Sequence, residues 1–329
     1  MTSPKISVLI PTYNYARYLP EAIDSVLAQD FEDYELIVSD DCSSDKTEEV
    51  MARYANDSRI RYHRQHANLG MVENWNWCLS EARGEFIKFI FGDDKISAPD
   101  SLTKLLQLIE SHSSATLAAC ARHLIDCESE ILDTWNDLNR TGCYHGRDVI
   151  YRCLDKNRNL IGEPTVTLFR RRDADTGFSP RYRQLVDLEF WFRFLEKGDL
   201  AYSSDPLCSF RQHALQQTQK NDATGISDLE SLWLFEDYGY KVDGIKGNLL
   251  WRRFNNLYYL RKRRKQEGGL SKEMAGMEKS LSERISRSRY VTYWVCRKAR
   301  RLIKNLISLI TRCDRCKKNQ RNWKLSHRG

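Results

Sequence analysis

Two adjacent carboxylates close an apolar, strand-like run in the first third of this 329-residue chain. The run from Phe86 to Phe91 is apolar apart from Lys88, and it ends on Gly92, Asp93 and Asp94. Mg²⁺ and Mn²⁺ prefer hard oxygen ligands and take few of them from the protein, which leaves positions for water and substrate phosphates. The pair therefore predicts a place where a metal holds a diphosphate, although a Gly-Asp turn that closes a strand has the same sequence.

Short apolar runs alternate with helical patterns before and after this pair. Strands are predicted at residues 6–10, 35–38, 60–63, 86–90, 116–125 and 165–169. Helices are predicted at 18–29, 47–54, 72–82, 101–111 and 187–195. Strand and helix alternation is typical of an α/β fold with a mostly parallel sheet, whose ligands bind at the carboxyl ends of the strands.

The first predicted strand is not followed by a dinucleotide-binding motif. A Gly-x-Gly-x-x-Gly sequence is missing there, and polar and acidic residues occupy the strand ends instead. This argues against a nicotinamide-dependent dehydrogenase and favours a mononucleotide that is held partly through a metal.

Four short motifs lie at the predicted strand ends. They are Ile-Pro-Thr-Tyr-Asn at 10–14, Ser-Asp-Asp-Cys-Ser-Ser-Asp at 39–45, Asn-Leu-Gly at 68–70 followed by Asn74, and Phe-Gly-Asp-Asp at 91–94. In this order and spacing they resemble the family 2 glycosyltransferases, which have the GT-A fold, a Rossmann-like fold that binds nucleotide sugars. The resemblance covers roughly the first 215 residues, and it implies an inverting enzyme that uses a nucleotide-diphospho-sugar with Mg²⁺ or Mn²⁺.

The resemblance also implies a donor site. The residues that it assigns to the nucleotide sugar are Pro11, Thr12, Tyr13, Asn14, Asp41, Asn68, Gly70, Asp93 and Arg211. Asp41 would accept a hydrogen bond from a base that offers an N–H, as uracil or thymine does, because a buried carboxylate without a partner is costly. Asp93 would face the ribose and Arg211 the diphosphate. For Asp40, an ordinary role in capping and turn formation is the better interpretation.

Metal binding and proton transfer are assigned to three further residues. Asp94, at the position of the family's Asp-x-Asp-like motif, would be a metal ligand at the protein surface. His213 would complete the metal shell, although an isolated surface histidine is the commoner situation and imidazole suits Mn²⁺ better than Mg²⁺. Asp187 resembles the family's catalytic acidic residue before an aromatic helix, with Glu189 as a competitor. A carboxylate there also suits the helix dipole.

The C-terminal third differs from the rest in its charge. Residues 246–329 carry a net charge of +20, and the rest of the chain carries −13. We therefore expect a catalytic domain at 1–215, with the nucleotide sugar at about 1–100 and the acceptor at about 101–215, and a basic helical region at 216–329. Residues 291–310 form a basic amphipathic pattern that could bind an anionic bilayer or pack on the catalytic domain.

Composition limits the location and the class of the protein. The ten cysteines lack the regular spacing of a disulfide scaffold, and uncharged apolar runs of about 18 residues are missing, so we expect a cytoplasmic protein. Residues 290–329 could hold it on the cytoplasmic face of the inner membrane. The hypothesis is a metal-dependent glycosyltransferase that moves a sugar from a UDP- or dTDP-sugar to a hydroxyl of a glycan or lipid-linked glycan. The alternative is a non-catalytic relative that binds nucleotide or partners; nucleic-acid binding is disfavoured because the acidic region lacks a recognition motif.

Overall fold

The structure is a computed structural model, and it describes residues 3–174, 176–213, 226–242, 249–286, 289–296 and 299. The strands within them are β1 (Ile6–Thr12), β2 (Tyr34–Asp40), β3 (Ile60–Arg64), β4 (Phe86–Phe89), β5 (Lys95–Ile96), β6 (Ala115–Ile125), β7 (Ile131–Trp135), β8 (Gly142–Tyr144), β9 (Thr167–Arg170) and β10 (Asp199–Arg211). The α-helices are α1 (Leu19–Leu27), α2 (Thr47–Met51), α3 (Met71–Glu81), α4 (Ser101–Glu110), α5 (Gly146–Lys156), α6 (Val186–Lys197), α7 (Ile226–Tyr238), α8 (Leu249–Glu267) and α9 (Lys272–Arg284).

These strands form one mixed sheet. Its strand order is β3-β2-β1-β4-β9-β6-β10-β5, with β7 paired to β6 and β8 paired to β10. The first four strands of the chain are parallel, and so are β6 and β10, whereas β9 runs antiparallel to β4 and to β6. The predicted α/β class is confirmed, and the carboxyl ends of β1, β2 and β4 lie along one edge. Beyond β4, antiparallel pairs make the sheet more mixed than the expected mostly parallel one.

The central strands are buried on both faces, which explains their continuous apolar sequences. Every residue of β1 and of β4 is buried. One face of β1 and β2 packs with the apolar stripe of α1, whose buried members are Leu19, Ala22, Ile23 and Val26. The leucine, isoleucine and valine side chains each contribute roughly 1.5–3 kcal/mol on burial. This core holds the carboxyl ends of the strands, where the acidic motifs lie.

Five elements were not predicted from the sequence, namely strands β5, β7, β8 and β10 and helix α5. Arg211 was expected in a loop, but it is the last residue of the long strand β10, whose pairing with β6 shifts register around Pro206. Pro and the neighbouring serines hide the strand pattern there. Helix α5 was also not expected, although Val149, Ile150 and Cys153 are spaced for one buried face.

The chain divides into two compact units, Met1–Lys246 and Gly247–Gly329. Helix α7 therefore belongs to the first unit, whereas the sequence suggested a boundary at residue 215. In the second unit α8 and α9 pack together, and Ser271 caps α9 by accepting a hydrogen bond from the Met274 N–H. Within the described residues, no helix has the length and apolar character needed to cross a bilayer. Most of the predicted amphipathic pattern at 291–310 lies outside the described residues.

Gly146 allows α5 to begin against the end of α6. A Cβ atom at this position would lie 2.1 Å from the carbonyl oxygen of Gly198 and 2.3 Å from that of Leu195. Backbone atoms cannot move aside as a flexible side chain can, so Gly146→Ala forces α5 and α6 apart. We expect this variant to lose about 1–3 kcal/mol of unfolding free energy, measured by urea denaturation.

Gly142→Ala is the matched control, because a Cβ atom there has no neighbour within 4 Å. Its unfolding free energy should stay within about 0.5 kcal/mol of that of the wild-type protein. Equal stability of the two variants would show that the α5–α6 contact is looser than the structure indicates.

Candidate active site

Two buried aspartates at the end of β2 have different partners. Asp40 accepts hydrogen bonds from the Ser43 N–H at 2.8 Å and from the Tyr62 hydroxyl at 3.1 Å. Asp41 accepts hydrogen bonds from the N–H groups of Leu69, at 2.6 Å, and Gly70, at 3.0 Å. Burial raises the pKa of Asp41, and the hydrogen bonds from the two backbone N–H groups oppose that rise. Asp40 thus closes its own turn, whereas Asp41 holds the loop at 68–70.

The 68–70 loop and the end of β1 surround Asp41. The Asn68 side chain donates to the Asp41 carbonyl oxygen at 3.1 Å, and Gly70 has a φ of 87°, which favours glycine. The Asp41 N–H donates to the Thr12 carbonyl oxygen at 2.9 Å, and the neighbouring residues Tyr13 and Leu69 are 46% and 44% exposed. The structure thus brings the predicted residues 13, 41, 68 and 70 together.

The end of β1 is tied to the turn after β2. The Asn14 side chain accepts a hydrogen bond from the Ser44 N–H at 2.9 Å, and the Asn14 N–H donates to the Ser43 hydroxyl at 2.8 Å. Pro11 and Thr12 pair with the last residues of β2. The buried Thr12 hydroxyl has no hydrogen-bond partner among the described protein groups. It lies so close to Gly92 that a Cβ atom there would be 2.7 Å from the hydroxyl oxygen.

Asp93 lies beside His213. The Nε2 atom of His213 is 3.0 Å from Asp93 Oδ2, and both side chains are largely buried. The rings of Tyr15 and Tyr18 contact the imidazole, with centroid distances of 5.6 and 5.1 Å. Tyr15 also forms a hydrogen bond with Asp93, and burial, followed by the charge of Asp93, raises the pKa of Tyr15. The Asp93 carboxylate and the His213 imidazole therefore lie next to each other, in contact with two tyrosine rings.

Asp94 is buried, whereas the sequence analysis expected it at the surface. It is 1% exposed, and its two oxygens accept hydrogen bonds from the Arg211 N–H at 2.9 Å and from the Thr165 hydroxyl at 2.5 Å. Burial raises the pKa of Asp94 well above its ordinary value, and the adjacent charge of Asp93 adds to the rise. The carboxylate of Asp94 thus connects β4 to β10.

Arg211 is held by the protein itself. Its guanidinium donates to the carbonyl oxygens of Asp93 and Asp126, both at 2.7 Å, and it forms an ion pair with Glu21. It is 1% exposed. The side chain that the sequence assigned to the diphosphate therefore holds the Asp93 backbone and the turn between β6 and β7.

Asp187 lies in the first turn of α6 and is half-buried. Its carboxylate accepts hydrogen bonds from the Leu188 N–H at 2.7 Å and from the Asn159 side chain at 3.2 Å. Burial raises the pKa of Asp187 to about 7, and the negative charge of Glu163 contributes to this rise. A carboxyl group with this pKa can accept a proton near neutral pH.

Glu189, the competing carboxylate, points elsewhere. It is 7% exposed, accepts a hydrogen bond from the Tyr238 hydroxyl at 2.8 Å, and lies 3.3 Å from the Arg193 guanidinium. The hydrogen bond from Tyr238 connects α6 to α7, whereas the contact with Arg193 lies within α6. Of the two acidic residues in this helix turn, the geometry favours Asp187 for chemistry.

The charge of Glu163 affects both Asp187, the candidate base, and Asp94. Besides the larger effect of burial, this charge raises the pKa of both Asp94 and Asp187. Arg122 balances it, with Nε 2.7 Å from the Glu163 carboxylate. Asn159 donates a hydrogen bond to Asp187 and Thr165 donates one to Asp94, so the segment 159–165 contacts both carboxylates.

Several residues of this site were missed at the sequence level. They are Tyr15, Asn159, Thr165 and Glu230, whose contacts reach groups far away in the chain. Tyr15 had a signal, because it directly follows the 10–14 motif. The other three had none, since their partners are set by tertiary structure.

Comparison with known proteins decides the family. The family model described as Glycosyl transferase family 2 matches residues 7–178, which is more than half of the chain and includes all four motifs. The chain belongs to glycosyl transferase family 2. It is therefore a glycosyltransferase, as the motifs implied.

Individual relatives agree with this assignment. A Bacillus subtilis glycosyltransferase named for teichuronic acid biosynthesis, TuaG, is 30% identical over 200 residues, covering 60% of this chain and 75% of that protein. Staphylococcus aureus TarS 1–349 in complex with UDP is similar in structure, with a TM-score of 0.57, 20% identity, and coverage of 79% of this chain and 72% of that chain. The mannosyltransferase PcManGT from Pyrobaculum calidifontis, in complex with GDP-Man and Mn²⁺, gives a TM-score of 0.54 at 16% identity over 89% and 84% of the two chains. The GT-A fold of this glycosyltransferase is thereby confirmed.

Proposed function

We propose that this glycosyltransferase transfers a sugar from a UDP- or dTDP-sugar to a hydroxyl of a cell-surface glycan or lipid-linked glycan, with inversion and with a divalent metal. The observation that carries the proposal is Asp187, a half-buried carboxylate with a pKa of about 7 that is contacted by the same segment, 159–165, as Asp94. The name of TuaG refers to teichuronic acid, and TarS is named as a poly(ribitol-phosphate) β-N-acetylglucosaminyltransferase. Both names support a cell-surface acceptor.

The reaction is a single displacement. The acceptor oxygen forms a bond to the anomeric carbon of the donor sugar while the bond from that carbon to the diphosphate breaks, and the diphosphate leaves with the electron pair. Asp187 accepts the proton of the acceptor hydroxyl. The Leu188 N–H and the Asn159 amide hold the carboxylate in place during this step. A positioned base of this kind accelerates a reaction typically by ~10²- to 10⁴-fold.

The nucleoside would bind between the ends of β1 and β2. Each oxygen of Asp41 accepts one backbone hydrogen bond, and a carboxylate oxygen can accept a second, so Asp41 is able to receive an N–H from uracil or thymine. The half-exposed Tyr13 ring offers a stacking surface for the base.

The residues that fit a metal are Asp93 and His213 rather than Asp94. Among the residues that the structure describes, no three His, Cys, Asp or Glu side chains converge into a complete metal site. Two protein ligands suffice, however, when a diphosphate supplies others, and a carboxylate with an imidazole suits Mn²⁺. When bound, the metal would neutralise the charge of the leaving diphosphate. Asp94 is the more buried of the pair, 1% exposed against 6% for Asp93, and its oxygens bind the Arg211 N–H and the Thr165 hydroxyl.

Substitutions at the aspartate pair distinguish these roles. Asp93→Asn and His213→Ala should each weaken Mn²⁺-dependent UDP binding by tenfold or more, measured by calorimetry with and without Mn²⁺, because each removes one of few ligands. We expect Asp94→Asn to lower the unfolding temperature but to keep UDP binding dependent on Mn²⁺. Loss of the Mn²⁺ dependence in Asp94→Asn alone would return the ligand role to Asp94.

The base assignment predicts a pH dependence. The carboxylate form of Asp187 is the active form, and its pKa is about 7, so kcat/KM should fall about tenfold per pH unit below pH 7 and level off above it. Donor turnover is measured as UDP or dTDP release from UDP-glucose, UDP-N-acetylglucosamine and dTDP-glucose. Asp187→Asn should retain nucleotide affinity, lose about 10²-fold or more in kcat, and lose this acid limb.

Glu189→Gln is the matched control from the same helix turn. Its side chain contacts Tyr238 and Arg193, so its kcat and acid limb should match those of the wild-type protein. If Glu189→Gln abolishes turnover and Asp187→Asn does not, Glu189 is the base. A protein that binds UDP but releases none from any of these donors would favour the non-catalytic alternative.

We further propose that residues 289–296 insert into an anionic bilayer. They are helical, and Tyr293 packs between Trp251 and Phe254 at 2% exposure. Val291, Trp294 and Val295 share the opposite face and are 52%, 44% and 53% exposed. An exposed apolar face in a region with a net charge of +20 suits a surface of anionic lipids.

Vesicle binding tests this proposal. Trp294→Ser combined with Val295→Ser should lower partitioning onto phosphatidylglycerol vesicles at least tenfold, measured by co-sedimentation of the full chain. Salt should release the wild-type protein, since each basic residue near such a surface contributes about 1 kcal/mol. The control is Ile131→Ser with Leu132→Ser, which removes equally exposed apolar side chains from β7. An equal loss of vesicle binding in both variants would indicate non-specific hydrophobic adsorption rather than insertion.

A further inference from the structure

Helix α7 contains a buried carboxylate that faces the turn before α6. Glu230 is completely buried. One of its oxygens accepts a hydrogen bond from the Arg183 N–H at 2.7 Å, and the other accepts from the Gln184 N–H at 2.9 Å and the Leu185 N–H at 2.7 Å. Three successive backbone amides are therefore bound by one side chain that lies more than forty residues away in the chain.

The same face of α7 holds the residues just before this turn. Asp237 accepts hydrogen bonds from the Arg181 guanidinium at 2.6 Å and from the Tyr182 hydroxyl at 3.2 Å. The Arg181 guanidinium also lies over the Trp233 ring, 4.7 Å from its centre. Residues 230, 233 and 237 share one helical face. The whole segment 181–185 is thus bound along α7.

The start of α6 depends on this contact because α6 has no cap of its own. Leu185 occupies the N-cap position, and an apolar side chain cannot accept the hydrogen bonds that a serine or aspartate would accept there. Asp187 follows two residues later. A shift of the 183–185 turn would therefore move the candidate base directly.

We propose that Glu230 is a positioning residue, which fixes the 183–185 turn so that Asp187 meets the acceptor hydroxyl. The inference rests on the proposed function, in which Asp187 is the base. It adds a requirement for α7, which lies beyond the residues 7–178 that the family model matches. Misplacement of a reacting group by about 1 Å can cost on the order of 10²-fold in rate.

Glu230 also acts on Asp187 through its charge. The groups that act on the Asp187 carboxylate are the charges of Glu163 and Glu230 and the donors Asn159 and Leu188. A negative neighbour disfavours a second negative charge, so removal of the Glu230 charge lowers the pKa of Asp187. A substitution that only loosened the fold would not move the pH profile in this direction.

Glu230→Gln tests the inference. The amide keeps the size of the side chain, but it brings an NH₂ group, which donates rather than accepts, to the three N–H donors. We expect kcat for nucleotide release to fall at least tenfold, KM for the donor to stay within twofold, and the acid limb to move to lower pH. UDP affinity and thermal unfolding report whether the variant is folded. If it does not fold, Glu230→Asp, which keeps the carboxylate but shortens its reach, should show a smaller fall in kcat.

Tyr238→Phe is the control on the same helix. This substitution removes the hydrogen bond to Glu189, which lies four residues after Leu185, and leaves the 183–185 turn intact. The kcat and the acid limb of the variant should therefore match the wild-type values. Equal effects of Tyr238→Phe and Glu230→Gln, or a wild-type kcat and pH profile in a folded Glu230 variant, would overturn the inference. Asp187→Asn, measured in parallel, separates the two proposals. If Asp187→Asn keeps full turnover, the proposed base is wrong. If Asp187→Asn loses turnover and Glu230→Gln does not, only the inference about Glu230 is wrong.

Discussion

Buried carboxylates that accept hydrogen bonds from backbone amides hold the functional loops of the catalytic unit. Asp41 binds the amides of the 68–70 loop, Asp94 binds the Arg211 amide, and Glu230 binds the three amides before α6. A loop amide out of contact with water must have a partner, and a carboxylate can satisfy several at once. Each of these contacts joins segments that are distant in the chain. The site is therefore built by acidic residues that do not all take part in its chemistry.

The same acidic residues set the electrostatics of the site. Beyond the main effect of burial, the charges of Asp93 and Glu163 raise the pKa of Asp94, and the charges of Glu163 and Glu230 raise the pKa of Asp187. Two consequences follow. Under the proposed function, the raised pKa suits Asp187 to act as a base at neutral pH, and a divalent cation would relieve the repulsion between the carboxylates. Arg122 compensates only the charge of Glu163 and Asp137.

Local patterns were sufficient to predict the donor half of the fold. Strands β1 to β4 and helices α1 to α3 lie within a few residues of the predicted ranges, because their apolar spacing reflects direct burial against the sheet. The partners of the carboxylates could not be predicted. Asp93 and Asp94 are adjacent and chemically identical, and what distinguishes them is that Asp94 binds the amide of a residue 117 positions later. For the same reason, the sequence could not reveal that Arg211 is buried.

The second half of the catalytic unit is harder to predict for a related physical reason. The motifs at 10–14, 39–45, 68–70 and 91–94 are short runs of neighbouring residues, so they can be recognised in the sequence. The start of α6 is instead held by contacts such as that of Glu230 with the 183–185 turn, which need only a carboxylate at the right place in space. Many sequences can meet that need, provided that α7 packs on α6. Under the proposed function, the position of Asp187 can thus be maintained while the surrounding surface changes to fit another acceptor.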